Sequence, residues 1–254
     1  MRKPFIAGNW KMNTDIQSSV ALAQGIADGC PDAVRNGQVT AAVCPPFPFL
    51  APVSSALSAS PVALGAQNMH FEAKGAFTGE VSSSMLKDVG CTYVLCGHSE
   101  RRHVFGEPDD MINKKVHTAI GAGLLPILCV GELLEERQTG NTEAVIEKQT
   151  REGLAGISSE KMAAITVAYE PVWAIGTGLT ATPQQAQEVH AFIRKLLADM
   201  YDAQLAEDIR IQYGGSAKPS NSAELLAEKD VDGLLVGGAS LKTEDFLAML
   251  ETAG

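Results

Sequence analysis

Three ionisable side chains stand just after apolar runs at widely separated points of the sequence: Lys11, His98 and Glu170. A carboxylate at such a position can act as a general base, a neutral imidazole can donate a hydrogen bond to a carbonyl oxygen, and an ammonium group can attract and neutralise an anionic substrate. Taken singly, each has an ordinary explanation: a surface charge, a core imidazole or helix cap, and a structural ion pair.

The residues that follow His98 favour its neutral form. Ser99 and Glu100 are predicted to begin a short helix. The exposed N–H groups and the positive end of the helix dipole at such a position disfavour an imidazolium ion. We therefore expect His98 to act as a neutral hydrogen-bond donor.

The segment after Glu170 is apolar and then contains glycines. Apolar loop residues are rarely left in water without a reason. A loop that closes over a ligand and expels solvent would explain this composition. The predicted lid consists of Pro171, Val172, Trp173, Ala174, Ile175, Gly176, Thr177, Gly178 and Leu179.

Glycine pairs follow two further apolar runs, at Gly214-Gly215 and at Gly237-Gly238. Glycine lets backbone N–H groups approach a ligand closely. In barrels, the loops after strands 7 and 8 form a common phosphate-binding site. One pair alone would more often be a turn. Two pairs, each after one of the last two of the eight apolar runs described below, indicate a phosphate-binding site, here called the phosphate cradle.

The elements that must position these residues are eight short apolar runs separated by longer segments. The runs are mostly continuous rather than alternating, which is typical of parallel strands covered on both faces. Eight such units in 254 residues predict a (β/α)8 barrel, a single domain over residues 1–254, with its chemistry at the carboxyl ends of the strands. An open doubly wound sheet is the alternative, but it usually has fewer strands, and no GxGxxG motif follows the first run. The predicted strands are residues 4–8, 39–44, 62–66, 93–96, 124–130, 165–169, 209–213 and 234–236.

One helix can be placed from its own residues. Apolar side chains between positions 186 and 197 repeat at helical spacing. Thr182 and Pro183 suit an N-cap and a first-turn proline. The pattern predicts a helix over residues 183–200.

The composition disfavours several classes of protein. The chain carries 30 acidic against 20 basic residues, a net charge of −10, whereas a nucleic-acid-binding protein normally shows a basic face. No apolar run approaches the roughly 18–20 residues that a membrane helix needs. The five cysteines form no CxxC motif and lie mostly in or beside apolar runs, so we expect buried, reduced thiols and a cytoplasmic protein. The histidines are scattered without a ligand pattern, so no metal site and no cofactor are predicted.

Five sequence blocks resemble those of the triosephosphate isomerase family, in the family's order and from the first predicted strand to the last. The resemblance implies a (β/α)8 TIM barrel that interconverts dihydroxyacetone phosphate and glyceraldehyde 3-phosphate through an enediolate, in glycolysis and gluconeogenesis. The blocks are Asn9-Trp10-Lys11, Cys96-Gly97-His98-Ser99-Glu100-Arg101-Arg102, Ala168-Tyr169-Glu170-Pro171-Val172-Trp173-Ala174-Ile175-Gly176-Thr177-Gly178, Tyr213-Gly214-Gly215-Ser216 and Val236-Gly237-Gly238-Ala239.

The resemblance also implies a role for each site residue. Glu170 would be the base, His98 the neutral electrophile, and Lys11 the cation that stabilises the enediolate and the phosphate. Asn9 would donate a neighbouring hydrogen bond, Glu100 would be a second carboxylate near Lys11, and Cys129 would pack behind the base. The backbone N–H groups of Gly176, Ser216, Gly237 and Gly238 would hold the phosphate dianion.

The segment of residues 67–80, from Gln67 to Glu80, is long for a loop between a strand and a helix. In the family, the matching loop inserts into a second subunit. The resemblance therefore implies a homodimer, with Thr78 near the first-strand loop of its partner. Leu179 departs from the family pattern, because many relatives carry lysine at that lid position.

Two other functions fit parts of this pattern. One is a phosphosugar isomerase or aldolase with a larger substrate, although a Schiff-base aldolase needs a lysine inside a strand and no predicted strand contains one. The other is an inactive barrel that binds a phosphate metabolite or another protein. The combination of Lys11, His98 and Glu170 argues against the second, because binding alone does not need a base.

Overall fold

The computed structural model describes residues 2–175 and 179–254, and a closed barrel of eight parallel strands lies at its centre. Each strand pairs with the next in chain order, and β8 pairs with β1 to close the ring. All eight predicted strands are confirmed, with ends that differ by at most one residue, and the open-sheet alternative is wrong. The strands are β1 Phe5–Asn9, β2 Thr40–Cys44, β3 Ala63–Ala66, β4 Tyr93–Cys96, β5 Leu125–Val130, β6 Thr166–Tyr169, β7 Arg210–Tyr213 and β8 Gly233–Val236.

Helices lie between successive strands and cover the outside of the barrel. Short 3-10 turns occur at Phe47–Phe49, Val172–Ala174 and Gly238–Leu241. The described α-helices are α1 Ile16–Asp28, α2 Asp32–Arg35, α3 Leu50–Ala56, α4 Ser83–Asp88, α5 Ser99–His103, α6 Asp109–Gly121, α7 Leu134–Gln138, α8 Thr142–Gly153, α9 Ser159–Met162, α10 Pro183–Met200, α11 Ala203–Asp208, α12 Pro219–Leu226 and α13 Thr243–Thr252.

Helix α10 spans the predicted residues 183–200 and begins as its sequence indicates. The Thr182 hydroxyl accepts a hydrogen bond from the backbone N–H of Gln185, and the Gln185 side chain accepts one from the backbone N–H of Thr182. This reciprocal capping satisfies two N–H groups that a helix start otherwise leaves unpaired. The apolar residues of the helical repeat are buried against the barrel.

The core has two layers, because successive strand residues point to opposite sides of the sheet. Phe5, Ala7 and Cys129 belong to a cluster that fills the inside of the barrel. Ile6 and Leu128, their neighbours in sequence, pack with helix residues in the larger outer cluster. All five cysteines are free thiols and are buried, which confirms that part of the prediction.

Parallel strands present all their carboxyl ends at one mouth of the barrel. The residues that follow β1, β4, β6, β7 and β8 therefore meet there, although they are far apart in sequence. Among the described helices, none is both long and apolar enough to cross a membrane.

Candidate active site

A cavity of about 570 Å³ opens at the carboxyl mouth of the barrel. It brings together side chains and backbone from five of the strand ends. Of the residues predicted for the site, Asn9, Lys11, His98, Glu170, Ile175, Ser216, Gly237 and Gly238 line this cavity. Gly176, Thr177 and Gly178 lie outside the described residues.

Glu170 and His98 are in direct contact at the base of this cavity. Nε2 of His98 lies 2.9 Å from Oε1 of Glu170, and the backbone N–H of Ser99 donates to Oε2 at 2.7 Å. Only 2% of Glu170 is exposed. The carboxylate is thus held by two donors from one turn of chain, at the point where β4 passes into α5.

The environment of His98 selects one neutral tautomer of its ring. His98 is the N-cap of α5, and its Nδ1 accepts a hydrogen bond from the backbone N–H of Glu100 at 3.2 Å. An accepting Nδ1 carries no proton, so the ring proton lies on Nε2, which points at Glu170. This geometry agrees with the neutral imidazole that the sequence predicts.

The pKa of Glu170 lies below its ordinary value. Burial acts in the opposite direction and raises it. Interaction with His98, the hydrogen bond from the Ser99 N–H and the positive charge of Lys11 together outweigh burial. The carboxylate is therefore ionised at neutral pH, as a general base must be.

Lys11 is held in a strained backbone conformation. Its φ is +52°, a left-handed value that residues other than glycine seldom adopt. Oδ1 of Asn9 accepts a hydrogen bond from the Lys11 N–H at 3.0 Å, and Nε2 of Gln67 donates to the Lys11 carbonyl at 2.8 Å. Both contacts fix the turn that directs the side chain toward the cavity. Its Nζ lies 2.5 Å from Oε1 of Glu100, so the predicted second carboxylate pairs with the ammonium group.

The first glycine pair makes room for the side chains of Glu170 and Tyr213. A Cβ atom on Gly214 would lie 2.8 Å from Cγ of Glu170, and one on Gly215 would lie 2.2 Å from the hydroxyl oxygen of Tyr213. Any larger residue would therefore displace Glu170 or Tyr213. The second pair borders Lys11, because a Cβ on Gly237 would lie 3.7 Å from Cε of that lysine.

The described part of the predicted lid packs on the barrel. Ala174 is buried, while Val172 and Trp173 are half-buried and Leu179 is 52% exposed. The indole N–H of Trp173 donates to Oε1 of Glu132 at 2.8 Å. The sequence did not point to the carboxylate that Trp173 contacts.

Glu132 is a buried acid that the sequence did not single out. It is 0% exposed, and its Oε1 also accepts from the Tyr169 hydroxyl and from Arg137, each at 3.1 Å. The preceding residue, Gly131, is gripped at both its N–H and its carbonyl by the side-chain amide of Gln149. The only sequence signal was the position of Glu132 two residues after β5, where an acid is also common on a solvated loop.

Cys129 lies inside the barrel behind Glu170 and is fully buried. Burial, and then the negative charge of Glu170, raise the pKa of its thiol well above the ordinary value. Such a thiol is a packing group rather than a nucleophile. Within residues 2–175 and 179–254, no three His, Cys, Asp or Glu side chains come together as a metal site would require.

The fold and this cavity define a (β/α)8-barrel enzyme with its polar site at the carboxyl ends of the strands. The family model of triosephosphate isomerase matches residues 4–253. The chain is 57% identical to the triosephosphate isomerase of Carboxydothermus hydrogenoformans over 251 residues, an alignment that covers 99% of each chain. It is 52% identical over 252 residues to that of Rhodopirellula baltica, covering 99% of this chain and 98% of the relative. The chain belongs to the triosephosphate isomerase family.

Proposed function

We propose that Glu170, His98 and Lys11 carry out the reaction of this family on one bound triose. The chain is an isomerase that interconverts dihydroxyacetone phosphate and glyceraldehyde 3-phosphate, a step of glycolysis and gluconeogenesis. The observation that supports these residue roles is the 2.9 Å contact between Nε2 of His98 and the Glu170 carboxylate, in the cavity that Lys11 also lines.

In the proposed mechanism, Glu170 takes a proton from the carbon next to the substrate carbonyl. The C–H electron pair becomes the C–C double bond of the enediolate, and the carbonyl oxygen becomes an oxyanion. Glu170 then returns a proton to the neighbouring carbon, so no proton is gained or lost overall. The ionised state of the carboxylate suits it to begin this cycle.

His98 would change partners when the substrate binds. Its ring carries one proton, on Nε2, and that proton faces Glu170 in the structure. The substrate carbonyl would replace the carboxylate as acceptor of this hydrogen bond, which polarises the carbonyl and frees Glu170 to approach the carbon. His98 would then move a proton between the two substrate oxygens.

Lys11 and the glycine segments would stabilise the negative charges. The ammonium group, near Gly237, would face both the enediolate oxygen and the phosphate. One preorganised donor at a developing oxyanion contributes about 3–4 kcal/mol. Backbone N–H groups of Ser216, Gly237 and Gly238, with Gly176 from the lid, would hold the phosphate. The lid would keep water from the enediolate, which otherwise loses phosphate.

A coupled assay with glyceraldehyde 3-phosphate tests these assignments. His98→Gln keeps a hydrogen-bonding side chain but cannot transfer protons as imidazole does, so kcat should fall by about 100-fold or more. The control is His117→Gln, because His117 contacts the Ala155 carbonyl away from the cavity. Full turnover by His98→Gln would refute the role of the imidazole.

The loop at 67–80 supports the proposal of a homodimer. Every residue from Glu72 to Glu80 is exposed, and the rings of Phe77 and His70 pack in a tilted arrangement with centroids 4.2 Å apart, which stiffens the projecting loop. Met12 is 95% exposed and Met85 56% exposed, so large apolar side chains face solvent in a single chain. A second subunit that receives Thr78 at its first-strand loop would cover such surface.

Sedimentation at micromolar protein concentration tests the dimer. The parent protein should sediment as a dimer, and Phe77→Asp should shift it toward monomer with a parallel loss of activity on dilution. A parent protein that is a stable and fully active monomer would rule the dimer out.

A further inference from the structure

Arg102 joins the carboxyl ends of β4, which leads to His98, and of β5, the strand between β4 and the β6 that leads to Glu170. Its side chain is 7% exposed, and its Nε donates to the Gly97 carbonyl at 2.8 Å. Its Nη2 donates to the Cys129 carbonyl at 2.9 Å. Its Nη1 meets Oδ1 of Asp109 at 2.5 Å. All three guanidinium nitrogens therefore donate hydrogen bonds, two of them to backbone carbonyls at the ends of β4 and β5.

This contact lies where the sheet ladder opens. The pairing of β4 with β5 ends at Cys96 and Leu128. Beyond that pair, Gly97 turns away with φ +75°, and the guanidinium bonds to the carbonyls of Gly97 and Cys129 on the two sides of the gap. Arg102 thus replaces the backbone hydrogen bonds that the diverging strands no longer make.

The two sides of the gap lead directly to the two catalytic groups. Gly97 precedes His98 in the chain. On the other side, the Val130 carbonyl, next to Cys129, accepts a hydrogen bond from the Glu170 N–H at 2.8 Å. The spacing that the guanidinium imposes is therefore transmitted to the imidazole on one side and to the backbone of the base on the other.

We propose that Arg102 is a positioning residue for the isomerisation, because its guanidinium sets the distance between the His98 imidazole and the Glu170 carboxylate. This inference rests on the proposed roles of those two residues. Lysine could keep the charge, but it lacks the planar fork that reaches two carbonyls and a carboxylate together. Asp109 orients the fork, and Lys148 holds the other oxygen of Asp109 at 2.6 Å.

The test compares Arg102→Lys, Arg102→Met and Asp109→Asn with the parent protein, below the melting temperature of each variant. A misplacement of about 1 Å at the reacting groups lowers turnover by up to about 100-fold. We expect kcat to fall about 10- to 100-fold in the Arg102 variants and less in Asp109→Asn. The KM should change by less than about threefold, because the phosphate cradle lies after β7 and β8, across the barrel.

The matched control is Arg35→Lys. Arg35 also binds backbone carbonyls, those of Cys30, Ala27 and Asp28, but at the end of α1 and away from the cavity. Its variant can lose stability, yet kcat should stay within about twofold of the parent. NMR of protein labelled with nitrogen-15 histidine should show altered His98 ring signals in the Arg102 variants and unaltered ones in Arg35→Lys.

The kinetic and NMR results together decide whether Arg102 positions the catalytic pair. A fall in kcat with constant KM and changed His98 signals supports the proposal. Retained kcat, or lost kcat with unchanged His98 signals, overturns it. If Arg102→Met does not fold, Arg102→Lys and Asp109→Asn decide by the same criteria. If His98→Gln and Glu170→Asp stay fully active in the same assay, the proposed catalytic roles fail, independently of Arg102.

Discussion

Nε2 of His98, after β4, and Oε1 of Glu170, after β6, lie 2.9 Å apart at the carboxyl mouth of the barrel. The proposed electrophile and the proposed base are thus each other's hydrogen-bond partner. In the proposed mechanism, the carbonyl of an entering substrate replaces the Glu170 carboxylate as the acceptor of the hydrogen bond from His98. Binding and activation of the base are therefore one event in the proposed mechanism.

The first prediction concerns the length of the base. Glu170→Asp withdraws the carboxylate by about 1 Å, so we expect kcat to fall about 100-fold with the fold retained. The coupled assay measures this, with circular dichroism as the test of folding. Glu147→Asp is the control, because Glu147 pairs with Arg151 on the surface of α8. Full turnover in Glu170→Asp would contradict the assignment.

The second prediction concerns the ammonium group. Lys11→Met keeps the length of the side chain and removes its charge, so both substrate binding and stabilisation of the enediolate should weaken. We expect kcat/KM to fall about 100-fold or more, with a raised KM. Lys114→Met is the control, since Lys114 pairs with Asp110 on the surface of α6. An unchanged kcat and KM would remove Lys11 from the site.

The third prediction concerns the thiols. Burial raises the pKa of Cys91 and of Cys96 to about 12, and it raises those of the other three cysteines as well. The reactive thiolate is therefore scarce at mildly alkaline pH. Ellman's reagent should react slowly or not at all with the native protein and rapidly with all five thiols in concentrated guanidinium chloride.

An introduced surface thiol calibrates this measurement. Ser58 is exposed, so Ser58→Cys should react at once and with a stoichiometry of one. A parent protein that reacts as fast as this variant, while still folded, would show that one of the native thiols is accessible.

The fourth prediction concerns acid stability. Burial, assisted by the charge of Arg194, lowers the pKa of His190 from 6.5 to about 4, although the Asp230 carbonyl acts in the opposite direction. The unfolded chain therefore binds more protons than the folded one between these two values. The free energy of unfolding should fall as the pH drops from 6.5 to about 4, by up to about 1.4 kcal/mol per pH unit.

His190→Gln tests this dependence by urea unfolding at a fixed protein concentration. Glutamine can still donate to the Asp230 carbonyl but does not titrate. In the parent, His190 should account for a loss of roughly 3 kcal/mol in the free energy of unfolding across that pH window. His190→Gln should lack this loss, so its free energy of unfolding should depend less steeply on pH. A variant with the same slope as the parent would mean that His190 is not the titrating group.

The strands and helix α10 were predictable from local patterns. Parallel strands buried on both faces read as continuous apolar runs, and Thr182 with Pro183 marks a helix start without help from distant residues. The convergence of Lys11, His98 and Glu170 followed from the barrel, because parallel strands place all their carboxyl ends at one mouth. The proposed assignment of these three residues to steps of the isomerisation came from the family resemblance.

Contacts between distant segments could not be predicted in this way. Gln67 supports the backbone of Lys11, and Gln149 grips Gly131, yet glutamines on surfaces look the same in a sequence. The buried Glu132 accepts hydrogen bonds from Tyr169, Trp173 and Arg137, of which the first two are about forty residues away in the chain. The left-handed φ of Lys11 likewise depends on its neighbours in space.

Closure of the barrel also orders events during synthesis on the ribosome. Phe5 in β1 pairs with Gly233 in β8. The first strand to be synthesised therefore cannot complete its backbone hydrogen bonds until the last strand has been synthesised. Such non-local pairing slows folding, because a long loop must close first. The cavity that Lys11 and Gly237 line together forms only when nearly the whole chain has left the exit tunnel. A nascent chain that stops short of β8 would leave β1 with an open edge, a template for unwanted association.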